Sequence, residues 1–307
     1  MPERFATHAM GTRFEVILDD VPGARAIAEA AFDILREQHQ RLSFFESGSH
    51  LSRVNREAPA GPVPVDAELF DLLEQCESLR LETRGAFDIA TGATKVGGPP
   101  PGPGPRYELD RARGTIRFAQ PGVLLDLGGV AKGYALDLIR EEFAQLDVSR
   151  ALVHGGTSSG LAISSPPELD AWRIRVGDTP PLTIRLRDAA FAVSATNSQP
   201  GAAGLGHLID PETGGPVTSD RIAVIVATSA LEADAWATAL ALRGRSSLAD
   251  LDGRRPTLHA AVLEDRAWRA SRDPGPFDLA ALSTRSPAAG GTLDATPSLT
   301  GHGASLS

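Results

Sequence analysis

The chain has 307 residues, 42% of them hydrophobic and 22% charged, which is enough for a full-sized core in one large domain or two intimate ones. A net charge of −9 without a lysine or arginine cluster argues against nucleic acid or an anionic membrane as partner, and 5% aromatics argues against a base-stacking platform. One cysteine, Cys76, rules out an intrachain disulfide and a multi-cysteine metal site.

The first residues, MPERFATHAMGTRFEVIL, carry no basic segment followed by an apolar run and no lipidation cysteine. No stretch approaches the ~20 apolar residues of a membrane span, so the expectation is a cytoplasmic protein without membrane insertion. TRFEVILDD (12–20) alternates like a strand. Residues 24–42 place Ile27, Ala31, Ile34 and Leu35 on one helical face. A second helix is expected over 66–83, opened by Asp66 as N-cap and closed before Gly85. Cys76 lies on its apolar side with Leu69, Leu72, Leu73 and Leu79, and reads as a small buried side chain. GGPPPGPGPR (97–106) can be neither helix nor inner strand. Residues 114–120 and 122–126 read as a hairpin that leads into LDLGGVAKGYALD (125–137), where a helix begins.

The second half is richer in strands. Short β-branched runs occupy 150–154, 172–176, 182–186, 190–194, 221–227 and 258–265, with a helix over 230–243 between the last two. Strands and helices do not alternate regularly, so the fold class expected is α+β, mostly antiparallel sheets with a few helices. From about Ser283 the chain holds few large apolar residues and is expected to be disordered. That leaves 1–282 as the folded domain, compatible with two intimate subdomains divided near 120–150.

Several stretches could carry chemistry. In LDLGGVAKGYALD, a turn entering a helix offers free N–H groups and the positive end of a dipole, which suits phosphate. Gly128 and Gly129 let backbone approach a ligand without a Cβ in the way, and Lys132 adds a point charge. The stretch matches neither a Walker loop nor a dinucleotide fingerprint, and by itself fits a tight strand–helix connection equally well. In ATSALEADAWATALALRG (227–244), Ser229 and Glu232 form an S-x-x-E capping box. Asp234 and Thr238 are then stacked one turn apart on an otherwise apolar helix. Two such oxygens can hold a hard cation, or can form a buried hydrogen-bonded pair. GHLIDPETGGPV (206–217) carries His207 ahead of Asp210-Pro211 and a Gly-Gly turn; a lone histidine is more often structural than catalytic. GAFDIATG (85–92) sets Asp88 between apolar neighbours, and ALVHGGTSSG (151–160) runs from a strand into a glycine turn.

Taken in order, AMGTRFEVIL, LSRVN (51–55), GAFDIATG, LDLGGVAKGYALD, ALVHGGTSSG, HLIDPETGGPV and ATSALEADAWATAL resemble the ApbE-type FAD:protein FMN transferases over about residues 6–244. The resemblance implies an ApbE-like fold. It implies an enzyme that cleaves the pyrophosphate of FAD, links FMN through a phosphoester to a threonine or serine of a target flavoprotein, and releases AMP with Mg²⁺ as cofactor. By motif position it implies Asp234, Thr238 and the Gly129 carbonyl as metal ligands. It implies FAD contacts at Met10, Ala86, Phe87, Asp88, Asp126, Lys132 and the backbone near Ile209, and His207 as a group that activates the acceptor hydroxyl. The alternatives kept beside it are an FAD pyrophosphatase and a flavin carrier without turnover. Two departures stand out. The Pro/Gly run 97–105 replaces a longer family segment, so cover over the adenine or the acceptor is expected to differ. The segment 193–210 lacks the aromatic that often follows the family's serine-glycine turn.

Overall fold

The alternating stretch at 12–20 forms strand β2 (Thr12–Leu18), paired with a preceding strand β1 (Glu3–Ala9). The structure, a computed structural model, describes residues 2–177, 180–196, 208–273 and 275–278. The β1–β2 turn is Met10-Gly11, both with positive φ (51° and 73°), the two-residue geometry that follows strand twist. Helices α1 (Ala24–Leu42), α2 (His50–Glu57) and α3 (Ala67–Glu82) follow, with strand β3 (Val63–Pro64) between the last two. The Asp66 carboxylate caps α3 by accepting the Leu69 amide at 2.8 Å. Helix α4 (Gly92–Lys95) and strands β4 (Tyr107–Asp110) and β5 (Thr115–Phe118) lead to helix α5 (Ala131–Gln145). Five strands come next: β6 (Ala151–Gly155), β7 (Ser159–Ile163), β8 (Trp172–Val176), β9 (Leu182–Leu186) and β10 (Ala189–Ala195). The described chain closes with β11 (Ile222–Ala227), α6 (Ala230–Arg243), α7 (Leu248–Arg254), β12 (His259–Glu264), β13 (Ala267–Ala270) and β14 (Phe277–Asp278).

Eight strands form one antiparallel sheet in the order β1-β2-β6-β7-β10-β11-β12-β13. The period of two sorts its side chains. Phe14, Val16 and Leu18 face Ala28, Ala31 and Leu35 of α1 and Leu136, Ile139 and Phe143 of α5. Ile17, Leu152, Ala162, Phe191 and Val224 face Ile174 and Ile184 of a second, three-stranded sheet, β14-β9-β8. A third apolar cluster joins α3, α6 and the residues around 86–90 and 123–131. Cys76 is buried in it, and burial pushes its thiol well above the ordinary range, which keeps it inert. The fold is α+β, mostly antiparallel.

Two sequence expectations need correction. Strand 115–118 pairs with 107–110, not with 122–126. The reason is local: Asp110-Arg111-Ala112-Arg113-Gly114 makes the turn, with Gly114 at φ 60°, so the chain folds back on what precedes it. Residues 122–126 are held instead by the backbone of 89–92, where the Gly92 amide donates to the Leu124 carbonyl at 2.9 Å and the Asp126 amide to the Ile89 carbonyl at 2.7 Å, and by Asn55. Its side chain accepts the Leu125 amide at 2.7 Å and donates to the Leu125 carbonyl at 2.8 Å. The capping box is only half made. Ser229 accepts the Glu232 amide at 3.2 Å, but the Glu232 carboxylate turns to Arg255. The first turn is capped from outside the helix as well: Asp137 on α5 accepts the Ala230 and Leu231 amides at 2.8 and 2.9 Å. His207 and residues 283–307 lie outside the described residues.

Candidate active site

The glycines of LDLGGVAKG serve two different purposes. A Cβ on Gly133 would stand 2.2 Å from the Ala230 carbonyl oxygen, so α5 and α6 cross there only because the residue is glycine. A Cβ on Gly129 would meet nothing closer than 3.7 Å, the Phe87 ring, with Thr238 Oγ1 at 3.8 Å. Packing does not demand glycine at 129. The exposed turn Gly128-Gly129 instead leaves its backbone open beside Thr238.

Close approach of α5 to α6 sets the central interaction. The Gly133 amide donates to Asp234 Oδ2 at 2.7 Å, and the Ser159 hydroxyl donates to Asp234 Oδ1 at 2.8 Å. In a continuous helix the Gly133 amide would bond the Gly129 carbonyl. Here it is turned to Asp234, and among the described residues no backbone amide takes the Gly129 carbonyl. Thr238 Oγ1 donates to the Asp234 carbonyl at 3.0 Å and lies 3.4 Å from Ser194 Oγ. Burial pushes the Asp234 carboxyl above the ordinary carboxylate range, and the Lys132 ammonium, the Ser159 hydroxyl and the Gly133 amide pull against it without cancelling it. The carboxylate is thus oriented by neutral donors, with a cation nearby but not on it.

The donor set around this point is all oxygen: one carboxylate, the Thr238 hydroxyl and the Gly129 carbonyl. Among the described residues no three His, Cys, Asp or Glu side chains gather as a metal site, so a cation here would draw on mixed protein oxygens and on its ligand. That is the way Mg²⁺ is usually held, through one or two carboxylates plus substrate phosphates, and the residues present fit it.

Asp126 leads into the glycine turn. Its Oδ1 accepts the Gly128 amide at 3.0 Å, and its Oδ2 is ion-paired with Lys95 at the end of α4. Phe87 and Ala86 are buried; the Phe87 amide donates to Thr83 Oγ1 at 3.1 Å, which fixes the segment that walls the turn. Asp88 is sealed. Its side chain is fully enclosed, with Oδ2 on Arg106 Nε at 2.9 Å and Oδ1 on the Ala90 amide at 2.8 Å. Met10, held at positive φ in its turn, packs against both the α1–α5 cluster and the α3–α6 cluster. Ile209 bridges to Pro216 in a narrow hairpin, whose Asp210 accepts the Glu212 amide at 2.9 Å. Leu208 packs on the cluster that contains Phe87 and Leu127. Gly214 of that hairpin meets the Pro/Gly run directly, since a Cβ there would stand 2.8 Å from Pro100.

The structure therefore brings Asp234, Thr238, Gly129, Lys132, Phe87 and Asp126 around one turn. It leaves the Asp88 carboxylate facing inward on Arg106. Sequence reasoning missed four residues of this region: Lys95, Arg106, Asp137 and Ser159. Lys95 and Arg106 sit in or beside Gly- and Pro-rich segments without periodicity. Asp137 and Ser159 acquire their roles only when distant elements meet.

A family model described as the ApbE family matches residues 10–262. The chain is 29% identical over 287 residues to the FAD:protein FMN transferase of Treponema pallidum, covering 80% of this chain and 79% of that protein. It is 28% identical over 275 residues to one from Klebsiella pneumoniae, covering 76% and 77%. Among solved structures, an ApbE protein from Thermotoga maritima superposes with a TM-score of 0.78 at 24% identity, covering 89% of this chain and 97% of that one. The flavin transferase ApbE from Vibrio cholerae superposes at 0.76 with 20% identity, covering 90% and 100%.

Proposed function

The chain belongs to the ApbE family, and from that premise we propose that it is an FAD:protein FMN transferase acting through the site around Asp234 and the Gly128-Gly129 turn. The observation that carries this reading is the Asp234 carboxylate: buried, fixed by Gly133 and Ser159, and without a salt bridge among the described residues. A carboxylate so placed has charge available for a ligand. The substrate and reaction are supported by the named relatives, which span about four-fifths of their own length in the match.

The reaction displaces AMP from FAD. An oxygen of an acceptor threonine or serine, on a target flavoprotein, bonds to the FMN phosphorus as the anhydride bond to the AMP phosphate breaks. AMP leaves with the bridging oxygen, and the acceptor loses its proton. Such a transfer asks the protein mainly for alignment and charge neutralisation. Asp234, Thr238 and the Gly129 carbonyl would hold Mg²⁺, which when bound neutralises diphosphate charge as the bond breaks. Gly133 and Ser159 fix the orientation of Asp234, so the carboxylate need not reorganise during the reaction. Lys132 adds positive charge beside it. Met10 presents apolar surface to FAD, with the buried Phe87 backing the glycine turn, and Asp126 and the backbone near Ile209 offer polar contacts. Ala86 and Asp88 support the Phe87 segment, with Asp88 acting through Arg106 rather than touching FAD. His207 is proposed to take the acceptor proton. Among the described carboxylates, Asp88 is closed to this role by Arg106.

The test is to incubate the protein with FAD and Mg²⁺, with and without an acceptor carrying a flavinylation threonine, and to follow AMP and the acceptor's mass. AMP together with a mass gain of one FMN residue is expected. AMP without mass gain across a panel of acceptors would favour hydrolysis, and bound FAD without AMP would favour a carrier.

A further inference from the structure

The chain has 30 basic residues, and only two of them are lysines, Lys95 and Lys132. Arginine serves every other basic position, on helices, strands and loops alike. Both lysines meet the same short turn. Lys132 lies just after it and acts on Asp234. Lys95 reaches it from α4: its ammonium is ion-paired with Asp126 and stands 3.6 Å from where a Cβ on Gly128 would be. The Lys95 side chain is about one-third exposed, whereas its partner Asp126 is 9% exposed. The ammonium therefore stands on the open side of the pair, over an exposed glycine backbone.

A compact ammonium differs from a guanidinium in being a point charge on a flexible stem, able to change partners without satisfying a planar fork. Two such charges flanking a glycine turn match a ligand with two adjacent phosphates. We propose that Lys95 is a second phosphate-binding residue, one that exchanges Asp126 for an oxygen of the FAD diphosphate when FAD binds. This rests on the flavin-transferase reading and extends it to a residue with no place in the motifs. The Lys95–Asp126 pair holds the ammonium at the turn in the free protein. On binding, Lys95 and Lys132 both supply positive charge to the diphosphate at this turn, and Asp126 keeps its bond to the Gly128 amide.

The experiment measures FAD and riboflavin affinity by flavin fluorescence, with Mg²⁺ present and no acceptor, in wild type, Lys95→Met and Lys95→Arg. Riboflavin shares the isoalloxazine ring and lacks both phosphates. Lys95→Met is expected to weaken FAD by about ten- to a hundredfold, the range of one charge-assisted hydrogen bond. It should leave riboflavin within about twofold and flatten the rise of the FAD dissociation constant with KCl. Lys95→Arg, which keeps the charge, is expected to retain that salt dependence. FAD affinity unchanged in Lys95→Met would overturn the proposal. An equal loss of FAD and riboflavin would also overturn it, because Lys95 would then only hold the turn in shape. Wild-type protein that binds no FAD would count against the transferase reading itself, a result separate from either outcome with Lys95.

Discussion

Asp88 and Asp234 are both buried aspartates, yet the two regions that hold them are built on opposite plans. Around Asp88, a guanidinium from the loop before β4 cancels the charge, and the Ala90 amide takes the remaining oxygen. Nothing is left for a ligand, and the pair ties the 86–90 segment to the Pro/Gly run. Around Asp234 the donors are an amide and a hydroxyl, both neutral, and the nearby Lys132 only moderates the burial cost. Burial alone does not mark a functional carboxylate. What marks it is burial with orientation and without charge cancellation.

The largest effect should come from removing the uncancelled charge. Asp234→Asn can keep both hydrogen bonds, its oxygen accepting from Gly133 and its amide donating to a rotated Ser159 hydroxyl. We expect it to fold and to lose FMN transfer by roughly 10²–10³-fold or more, as when a preorganised electrostatic group is removed. Wild-type stability should also respond to pH in a definite direction, and the asparagine variant should lack that response. The folded pKa of Asp234 is raised, so its stability penalty is absent below the unfolded value and grows as pH rises towards and through the folded one. Metal-free Asp234→Asn should therefore equal or exceed wild type in denaturation midpoint at neutral pH. A clear loss of stability there would break the contrast with Asp88.

Asp88→Asn is expected to behave in the opposite way. It strands Arg106, which is largely buried, and should cost about 3 kcal/mol of unfolding free energy by urea titration. Transfer by the surviving folded fraction should fall far less than in Asp234→Asn.

Ser159→Ala sharpens the comparison, because it removes one of the neutral donors and leaves the carboxylate. That bond favours the ionised form, so its loss should raise the Asp234 pKa further. The acid limb of the pH–activity profile should move to higher pH, and Mg²⁺ affinity should fall about tenfold, as for other groups that orient a metal ligand. A profile identical to wild type would show that Ser159 does not position Asp234.

The smallest effect concerns the scaffold. Asp137→Ala removes the carboxylate that caps α6 from α5 and should cost about 1–2 kcal/mol, a drop of a few degrees in Tm. Activity at low temperature should change little, since Gly133 still fixes the crossing of the two helices.

Much of this was legible in the residues. Helices α1 and α6 and strands β8 and β9 follow the expected bounds, because each has clear periodicity and sharp ends. Asp66 caps α3 as its type and position suggest. The missed elements have weak local signals. β1 is an edge strand with few large apolar residues, α2 offers only Leu51 and Val54 to the core, and β7 begins behind a glycine turn. The hairpin reading fails because residues 122–126 are taken by Asn55 and by the backbone of 89–92, partners far off in sequence, while β5 folds back on β4. The candidate metal ligands were suggested by i, i+4 spacing and by family resemblance. What separates Asp234 from Asp88, namely which neighbours arrive, is a tertiary fact that neither sequence window contains. The same holds for Lys95, whose meaning lies in its distance from Gly128.

The most direct test titrates Mg²⁺ into FAD-saturated wild type and Asp234→Asn, following the thermal midpoint. A ligand that binds only the folded state raises that midpoint with its concentration. A Mg²⁺-dependent rise is expected in wild type and none in Asp234→Asn, with both proteins folded at the start. An equal rise in the two proteins would contradict the assignment of Asp234 as the carboxylate that holds the cation.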